Sequence, residues 1–289
     1  MNEIENGIDM QPENPLKIIK KFDSYSSIVE LVEIDGNQYV LKTVDREEAI
    51  NEKRFLETLS DNKLPSLELY SKVPLKDNQL LLEYVPNSEK IDYQDVDQVR
   101  QWGAAVRKMH DIHFEKPFRI TEEGKEEYFD WNDFLIENLE HSVNYRKGGK
   151  TDLSDEELER IIDYVKPRLN FNESSYSLLH GDMHDGNTLK RGEEVIIYDK
   201  SSEIFAGHYL YDLATVAIMY PNGLYINTDE PEYKRDGELL NAFMDGYGEN
   251  FVESHKDKLD LYMLIRNLFR YPNPFVKVEK QIFKTILEK

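Results

Sequence analysis

The sequence contains no cysteine among its 289 residues. This absence excludes disulfide bonds, thiolate metal sites and a cysteine nucleophile. It is typical of proteins that work in a reducing compartment, so we expect a cytoplasmic location. Because a chain of this length buries a substantial core, it needs no covalent cross-links to be stable.

Long apolar runs are also missing. The longest, around Leu213 to Tyr220, is far shorter than the roughly 20 residues that a membrane-spanning helix needs. The first six residues, Met1-Asn2-Glu3-Ile4-Glu5-Asn6, are acidic and lack the apolar segment of a signal peptide. The sequence therefore predicts neither a membrane span nor secretion.

Positive charge is scarce relative to negative charge. The chain has 36 Lys and Arg against 57 Asp and Glu, which gives a formal net charge of -21. Since phosphate backbones demand a basic surface, this balance argues against nucleic acid as a partner. An acidic surface instead concentrates cationic ligands. The acid is densest in residues 122–137 and 152–159, which are either solvated faces or part of a site for a cationic small molecule.

One short segment carries a dense set of polar residues. Leu179-His180-Gly181-Asp182-Met183-His184-Asp185-Gly186-Asn187 is followed by an apolar run, 195–198, that ends at Asp199. The spacing His-x-Asp-x4-Asn, with a second Asp after a strand, matches the catalytic loop and the metal-binding Asp of kinases. Phosphoryl transfer needs one carboxylate to receive a hydroxyl proton, plus an amide and a carboxylate to hold Mg²⁺. The pattern gives the first role to Asp182 and the metal roles to Asn187 and Asp199.

Phosphoryl transfer makes a second demand, far upstream of this segment. Residues 27–42 read as two strands around an Asp-Gly-Asn turn, and Lys42 lies at the end of the second strand. Residues 45–59 follow with the apolar spacing of a helix. We predict that Glu52 of this helix pairs with Lys42 and holds its ammonium against the nucleotide phosphates. Glu48, one turn earlier on the same face, is the alternative partner.

The glycine-rich loop with which protein kinases cover the phosphates, Gly-x-Gly-x-x-Gly, is absent before the strand lysine. The corresponding place reads Phe22-Asp23-Ser24-Tyr25-Ser26-Ser27. Because donors on a tight turn suffice to bind a phosphate, Ser24, Ser26 and Ser27 are candidates for that contact. The absence of the glycine-rich loop argues against a protein kinase more than against phosphoryl transfer.

The stretch from Leu179 to Val216 resembles the aminoglycoside phosphotransferase and choline kinase superfamily. The resemblance lies in His-Gly-Asp-x-His-x-Gly-Asn, Asp199, Gly207 and the run Tyr211-Asp212-Leu213-Ala214. It implies an α+β, bilobal, protein-kinase-like fold. Residues 1–86 would form an N-terminal nucleotide-binding lobe of antiparallel sheet plus helix. Residues 87–289 would form a larger, mainly helical lobe for catalysis and substrate binding.

The resemblance also assigns roles outside the catalytic loop. The strand Gln79–Pro86 becomes the hinge between the lobes, where backbone groups near Glu83 and Val85 face the nucleotide base. Asp212 holds the catalytic loop through buried hydrogen bonds. The implied cofactors are Mg²⁺ and ATP or GTP, and the acceptor is a hydroxyl of a small molecule. We expect no obligatory protein partner.

The sequence leaves the acceptor open and admits rivals of other classes. An aminoglycoside is favoured by the acidity and the resemblance, with choline, amino alcohols and sugars as alternatives. The run Asp182-x-His184 also echoes dinuclear metallophosphoesterases, but the remaining ligand blocks of that class are absent. A catalytically silent kinase-like binding protein is the other rival. Retention of the full set of nucleotide and metal residues argues against it.

Overall fold

The structure is a computed structural model that describes residues 16–24, 27–148, 153–200, 202, 204–222, 231–248, 251–269 and 279–288. Its N-terminal part is a four-stranded antiparallel sheet in the order β1 (Lys17–Phe22), β2 (Ile28–Ile34), β3 (Asn37–Thr43) and β4 (Gln79–Glu83). The turn between β2 and β3 places Asp35 and Gly36 at φ 52° and 78°. Positive φ at both positions is what a two-residue hairpin turn requires.

One helix, α1 (Arg46–Asp61), packs on this sheet. It buries Ala49, Glu52, Phe55, Leu56 and Leu59, which recur at the three- and four-residue spacing of one helix face. Asp45 occupies the N-cap position, but its side chain makes no capping hydrogen bond. The helix is therefore held by its buried face, and this face carries Glu52 toward the sheet.

The rest of the chain is mainly helical. Its helices are α2 (Val96–His110), α3 (Trp131–Arg146), α4 (Asp155–Val165), α5 (Leu210–Met219), α6 (Asp236–Tyr247), α7 (Phe251–Phe269) and α8 (Glu279–Leu287). Its strands are β5 (His113–Phe114), β6 (Phe118–Ile120), β7 (Glu126–Tyr128), β8 (Tyr176–Leu178), β9 (Thr188–Arg191), β10 (Glu194–Ile197) and β11 (Ile204–Gly207). The strands form a β9–β10 hairpin and a sheet in the order β5-β8-β11-β6-β7. The predicted α+β class, with an antiparallel sheet plus helix before a mainly helical part, is confirmed.

The β9–β10 hairpin brings the two halves of the motif together. Thr188 follows Asn187 directly and pairs with Ile197, two residues before Asp199. The hairpin therefore returns Asp199 to the level of Asn187. Strand β4 ends at Glu83, so the predicted strand to Pro86 is three residues too long. The boundary between the lobes after residue 86 stays a prediction.

The acidic residues between α2 and α4 serve largely local contacts. Glu126 and Glu127 lie on β7, where they pair with Arg54 of α1 at 3.6 Å and Arg119 of β6 at 2.9 Å. The first part of the acidic stretch 122–137 thus lies in a hairpin, in which β7 pairs with β6. Ser154 and Glu157 form a capping box at the start of α4.

Across the described residues, no helix is long and apolar enough to cross a membrane. Helices α2 and α6 approach each other closely. A Cβ added to Gly103 of α2 would lie 2.0 Å from the carbonyl oxygen of Phe243. A Cβ added to Gly246 of α6 would lie 1.9 Å from the carbonyl oxygen of Arg100. Two glycines therefore permit backbone contact between these helices.

We predict that Gly103→Ala destabilises the protein by about 1–3 kcal/mol, because the methyl group forces the two helix backbones apart. Gly237→Ala is the matched control, since its Cβ would come no closer than 3.9 Å to another atom. This control should be neutral or slightly stabilising through helix propensity. Urea denaturation of the three proteins measures the difference; equal stabilities of both variants would contradict the close helix contact.

Candidate active site

A cavity of about 700 Å³ lies between the N-terminal sheet and the catalytic loop, here defined as residues 180–187. The hinge side is lined by residues 82–85, and the loop contributes Asp182, His184, Gly186 and Asn187. Predicted site residues that line the cavity are Ser24, Ser27, Lys42, Glu48, Glu83, Val85, Asp182, Asn187 and Asp199. Glu52 reaches the site through its contact with Lys42. Ser26 lies outside the described residues.

Lys42 joins three distant segments of the chain. Its Nζ lies 2.5 Å from Oε2 of Glu52 on α1, and it also donates to Oδ1 of Asp199, which follows β10. Glu48 is farther, with its Oε1 3.8 Å from Nζ. The geometry thus favours Glu52 over the alternative partner. Burial alone would lower the pKa of Lys42, but the two carboxylates raise it overall, so the ammonium stays charged.

The hydrogen bonds of His180 connect the catalytic loop to the strand that precedes Asp199. The buried imidazole accepts from the N–H of Asp182 at Nδ1 (3.3 Å), and its Nε2 donates to the carbonyl of Tyr198 (2.8 Å). These partners assign the neutral tautomer with the proton on Nε2. Burial lowers the pKa of His180, although the nearby carboxylate of Asp212 opposes this shift. His180 is therefore a structural link rather than an acid or base.

Asp212 holds the loop backbone from below. Its two carboxylate oxygens accept from the N–H groups of His180 and Gly181, each at 2.8 Å. Arg266 of α7 donates to the carbonyl of Gly181 at 2.6 Å. Burial alone would raise the pKa of Asp212, but the hydrogen bond and charge of His110 and the backbone donors hold it below its usual value. These hydrogen bonds match the bracing contact that the resemblance implies for Asp212.

The two predicted metal ligands offer oxygen atoms to the cavity. Nδ2 of Asn187 donates to the carbonyl of Asp182 at 2.9 Å, which leaves Oδ1 of the amide as the possible ligand atom. Asp199 adopts φ 62°, a left-handed conformation that is costly for a residue with a side chain. Strain of this kind concentrates at functional sites. A carboxylate and an amide oxygen fit Mg²⁺, which takes hard oxygen ligands.

The side chain of Lys200, the residue after Asp199, is buried in the protein. Its buried Nζ donates to the carbonyl oxygens of His180 (3.1 Å) and Ile204 (2.6 Å). Lys200 is not among the residues that line the cavity, so it braces the loop instead of meeting a phosphate. Sequence reasoning also missed Arg266 and His110, which support the loop from α7 and α2. No local motif marks either residue, because their partners lie far away in sequence.

One backbone group of the predicted hinge is already engaged within the protein. The N–H of Glu83 donates to the carbonyl of Glu68 at 2.9 Å and is not free to meet a nucleotide base. The Glu83 side chain accepts from Nη1 of Arg191, which lies at the end of β9, at 3.0 and 3.1 Å. This side chain therefore ties the hinge to the β9–β10 hairpin. The predicted contact of backbone groups near Glu83 and Val85 with the nucleotide base stays a prediction.

Ser24 and Ser27, which lie between β1 and β2, line the cavity. Oγ of Ser24 lies 2.6 Å from Oγ of Ser27, and both residues line the wall near Lys42. Either hydroxyl has the position to donate to a phosphate, but both are engaged with each other in this structure. Their phosphate contact stays a prediction.

Comparison with known proteins agrees with this geometry. The model of the phosphotransferase enzyme family called APH matches residues 19–254, most of the chain. The chain belongs to this phosphotransferase family. No curated protein matches it by sequence. The members of the family to which it is similar in structure are therefore distant in sequence.

Three solved structures illustrate the likeness of this phosphotransferase-family chain. A thermostable mutant of aminoglycoside phosphotransferase APH(4)-Ia has a TM-score of 0.62 and 14% identity over 94% of this chain and 88% of that one. Spectinomycin phosphotransferase APH(9)-Ia, solved with ADP and spectinomycin, has a TM-score of 0.59 and 16% sequence identity, over 94% of this chain and 88% of that one. A choline/ethanolamine kinase family protein from Mesorhizobium loti has a TM-score of 0.56 and 16% sequence identity, over 95% of this chain and 86% of that one. These matches confirm the predicted bilobal, protein-kinase-like fold.

Replacing Asp212 tests the support of the catalytic loop. Asp212→Asn replaces one acceptor with an amide that faces a backbone N–H and leaves buried groups unpaired. We predict a loss of about 3–5 kcal/mol in the free energy of unfolding, measured by urea denaturation. Asp97→Asn, which removes an exposed ion pair with Arg100, should change stability by less than about 0.5 kcal/mol. Similar effects of the two variants would contradict the bracing role.

The lowered pKa of His180 predicts a pH dependence of stability. Below about pH 6.5 the unfolded imidazole binds a proton that the folded one resists, so the unfolded state binds more protons. The free energy of unfolding should therefore fall as the pH falls from 6.5 toward the lower folded pKa. In His180→Gln the fall between pH 7.5 and 5.5 should be smaller. His113→Gln, at an exposed position, should show the same fall in the free energy of unfolding as the wild type. An equal fall in all three proteins would refute the lowered pKa of His180.

Proposed function

We propose that this phosphotransferase moves the γ-phosphoryl group of ATP or GTP to a hydroxyl of a small, cationic molecule, with Mg²⁺ as cofactor. The observation that supports this most strongly is the convergence of Lys42, Asp182, Asn187 and Asp199 on one cavity. These residues come from the sheet, the catalytic loop and the hairpin end. A kinase that takes its phosphoryl group from a nucleotide needs this combination of charges and oxygen ligands.

Each residue has a distinct chemical task in the proposal. The ammonium of Lys42, positioned by Glu52, neutralises the nucleotide phosphates. Asp182 orients the acceptor hydroxyl and takes its proton. Asn187 and Asp199 would hold Mg²⁺, which supplies further positive charge to the transferring phosphoryl group. Alignment of the reactants and charge neutralisation then supply most of the rate acceleration.

The proposal of a cationic acceptor rests on charge near the catalytic loop. Asp185 belongs to the loop, and its side chain is 29% exposed. Asp236 at the start of α6 is buried, and burial raises its pKa to about 6. Of the two carboxylates, Asp185 is the one that solvent reaches, and accessible negative charge beside the loop attracts a cationic ligand.

An aminoglycoside-type compound is the first candidate for the acceptor. Solved structures of this fold include phosphotransferases in complex with spectinomycin and with hygromycin B. Choline, an amino alcohol or a sugar is the second candidate, since the same fold occurs in choline kinase LicA from Streptococcus pneumoniae and in a putative fructosamine-3-kinase. We place the reaction in the cytoplasm, where the nucleotide is supplied.

A screen for ADP or GDP release tests this proposal. Purified protein, Mg²⁺ and either nucleotide are combined with hygromycin B, spectinomycin, choline, ethanolamine and a fructosamine. Turnover that depends on one acceptor supports the proposal and identifies the substrate class. Absence of both turnover and a thermal shift with Mg²⁺-nucleotide would instead favour a silent binding protein. Phosphate release from simple esters without nucleotide would favour a hydrolase.

The role of Asp182 gives a quantitative prediction. Asp182→Asn should lower kcat by on the order of 10² or more, because the acceptor proton loses its base. Nucleotide affinity, measured by calorimetry, should be retained. The control is Asp77→Asn at a side chain that is 84% exposed, which should behave as the wild type. Undiminished turnover in Asp182→Asn would rule out the mechanism.

A further inference from the structure

His184 is a polar side chain of the cavity that the mechanism above does not use. It precedes a short 3-10 helix, residues 185–187, and lies next to the carboxylate of Asp182. The N–H of Gly186 donates to its Nδ1 at 3.0 Å, so the neutral ring carries no proton on that atom. The proton is therefore on Nε2, and Nε2 lies 3.4 Å from Oδ2 of Asp182. Nε2 therefore lies beside the carboxylate of the proposed base.

Gly186 provides a second, independent observation on this ring. A Cβ at Gly186 would lie 2.6 Å from Cε1 and 2.7 Å from Nδ1 of His184. The φ of Gly186 is not positive, so backbone conformation does not explain the glycine. The absence of a side chain is what lets the imidazole fold down onto the loop. The sequence thus provides both a hydrogen bond and a packing surface that fix the ring.

We infer that His184 is a positioning residue that holds the carboxylate of Asp182 in its reactive orientation. This inference rests on the proposed function of Asp182. The contact between Nε2 and Oδ2, 3.4 Å apart, restricts rotation of the carboxylate. Contacts of this kind tighten when reactants bind, so their length without reactants does not argue against a catalytic role. Asp185, with Oδ1 4.0 Å from Nδ1 of the same ring, does not compete for the Nε2 proton.

Two substitutions separate the two contacts of the ring. Asn at position 184 places an oxygen near the position of Nδ1, so it keeps the bond to Gly186 but loses the donor to Asp182. Gln at position 184 places an N–H₂ group near the position of Nε2, so it keeps the donor. We expect His184→Asn to lower kcat by about 10- to 100-fold, because small misplacement of a reacting group has effects of this size. His184→Gln should recover part of that loss.

The readouts are chosen so that a structural role gives a different result. Turnover is measured as MgATP hydrolysis without acceptor and as transfer to whichever compound of the panel is phosphorylated. Positioning predicts a lower kcat in His184→Asn with an unchanged KM for nucleotide and an unchanged melting temperature. A parallel loss of nucleotide affinity would mean that His184 contacts phosphate, and wild-type kcat would mean that it only supports the loop. Either result overturns the inference.

Asp182→Asn, assayed alongside, separates this inference from the proposed function. If that variant keeps wild-type turnover, the proposed function itself is wrong. If it is inactive while His184→Asn is fully active, only the positioning role is wrong. Gly186→Ala should mimic the loss seen in His184→Asn, since its methyl group displaces the ring.

Nuclear magnetic resonance supplies a test that needs no acceptor. In protein labelled with ¹⁵N-histidine, the His184 signals are identified by their disappearance in His184→Asn. We expect a single neutral tautomer with the proton on Nε2. A ring protonated on Nδ1, or an averaged mixture of tautomers, would overturn the inference because no fixed donor would face Asp182.

Discussion

The buried carboxylate of Asp212 is the interaction on which the candidate active site depends. An ionised group in this position is tolerable only when its oxygens are fully hydrogen-bonded, and the N–H groups of His180 and Gly181 provide those bonds. The catalytic loop is thereby fixed to α5. Arg266 and Lys200 bind carbonyl oxygens of the same two residues. The N–H groups and the carbonyl oxygens of His180 and Gly181 are therefore all engaged by side chains from other parts of the fold.

This anchored loop organises the other functional segments. His180 extends the network to Tyr198 and so to the position of Asp199, and Asp199 in turn contacts Lys42 of the N-terminal sheet. Glu83 and Arg191 form a second link between the hinge and the β9–β10 hairpin. These two polar contacts thus connect the nucleotide side with the catalytic side. A preorganised arrangement of this type is what electrostatic catalysis requires.

The sequence predicted those parts of the site that have fixed spacing. The loop, the hairpin that returns Asp199, and the pairing of Lys42 with a helix glutamate all follow from short motifs or from periodicity. Lys200, Arg266 and His110 were not predictable as braces, because their contacts depend on tertiary packing between segments far apart in sequence. The hydrogen bond of the Glu83 N–H was not predictable for the same reason, since its partner Glu68 lies in an irregular segment. The acidic β6–β7 hairpin shows that charge density alone does not reveal secondary structure.

The central claim is direct transfer of a phosphoryl group from nucleotide to a hydroxyl. The most direct measurement uses ATP carrying ¹⁸O in its γ-phosphate, with product analysis by mass spectrometry after reaction with the acceptor panel. Direct transfer predicts a phosphomonoester of one acceptor that contains the labelled oxygens, formed in equal amount with ADP. Labelled inorganic phosphate alone, with every acceptor unchanged, would contradict the account.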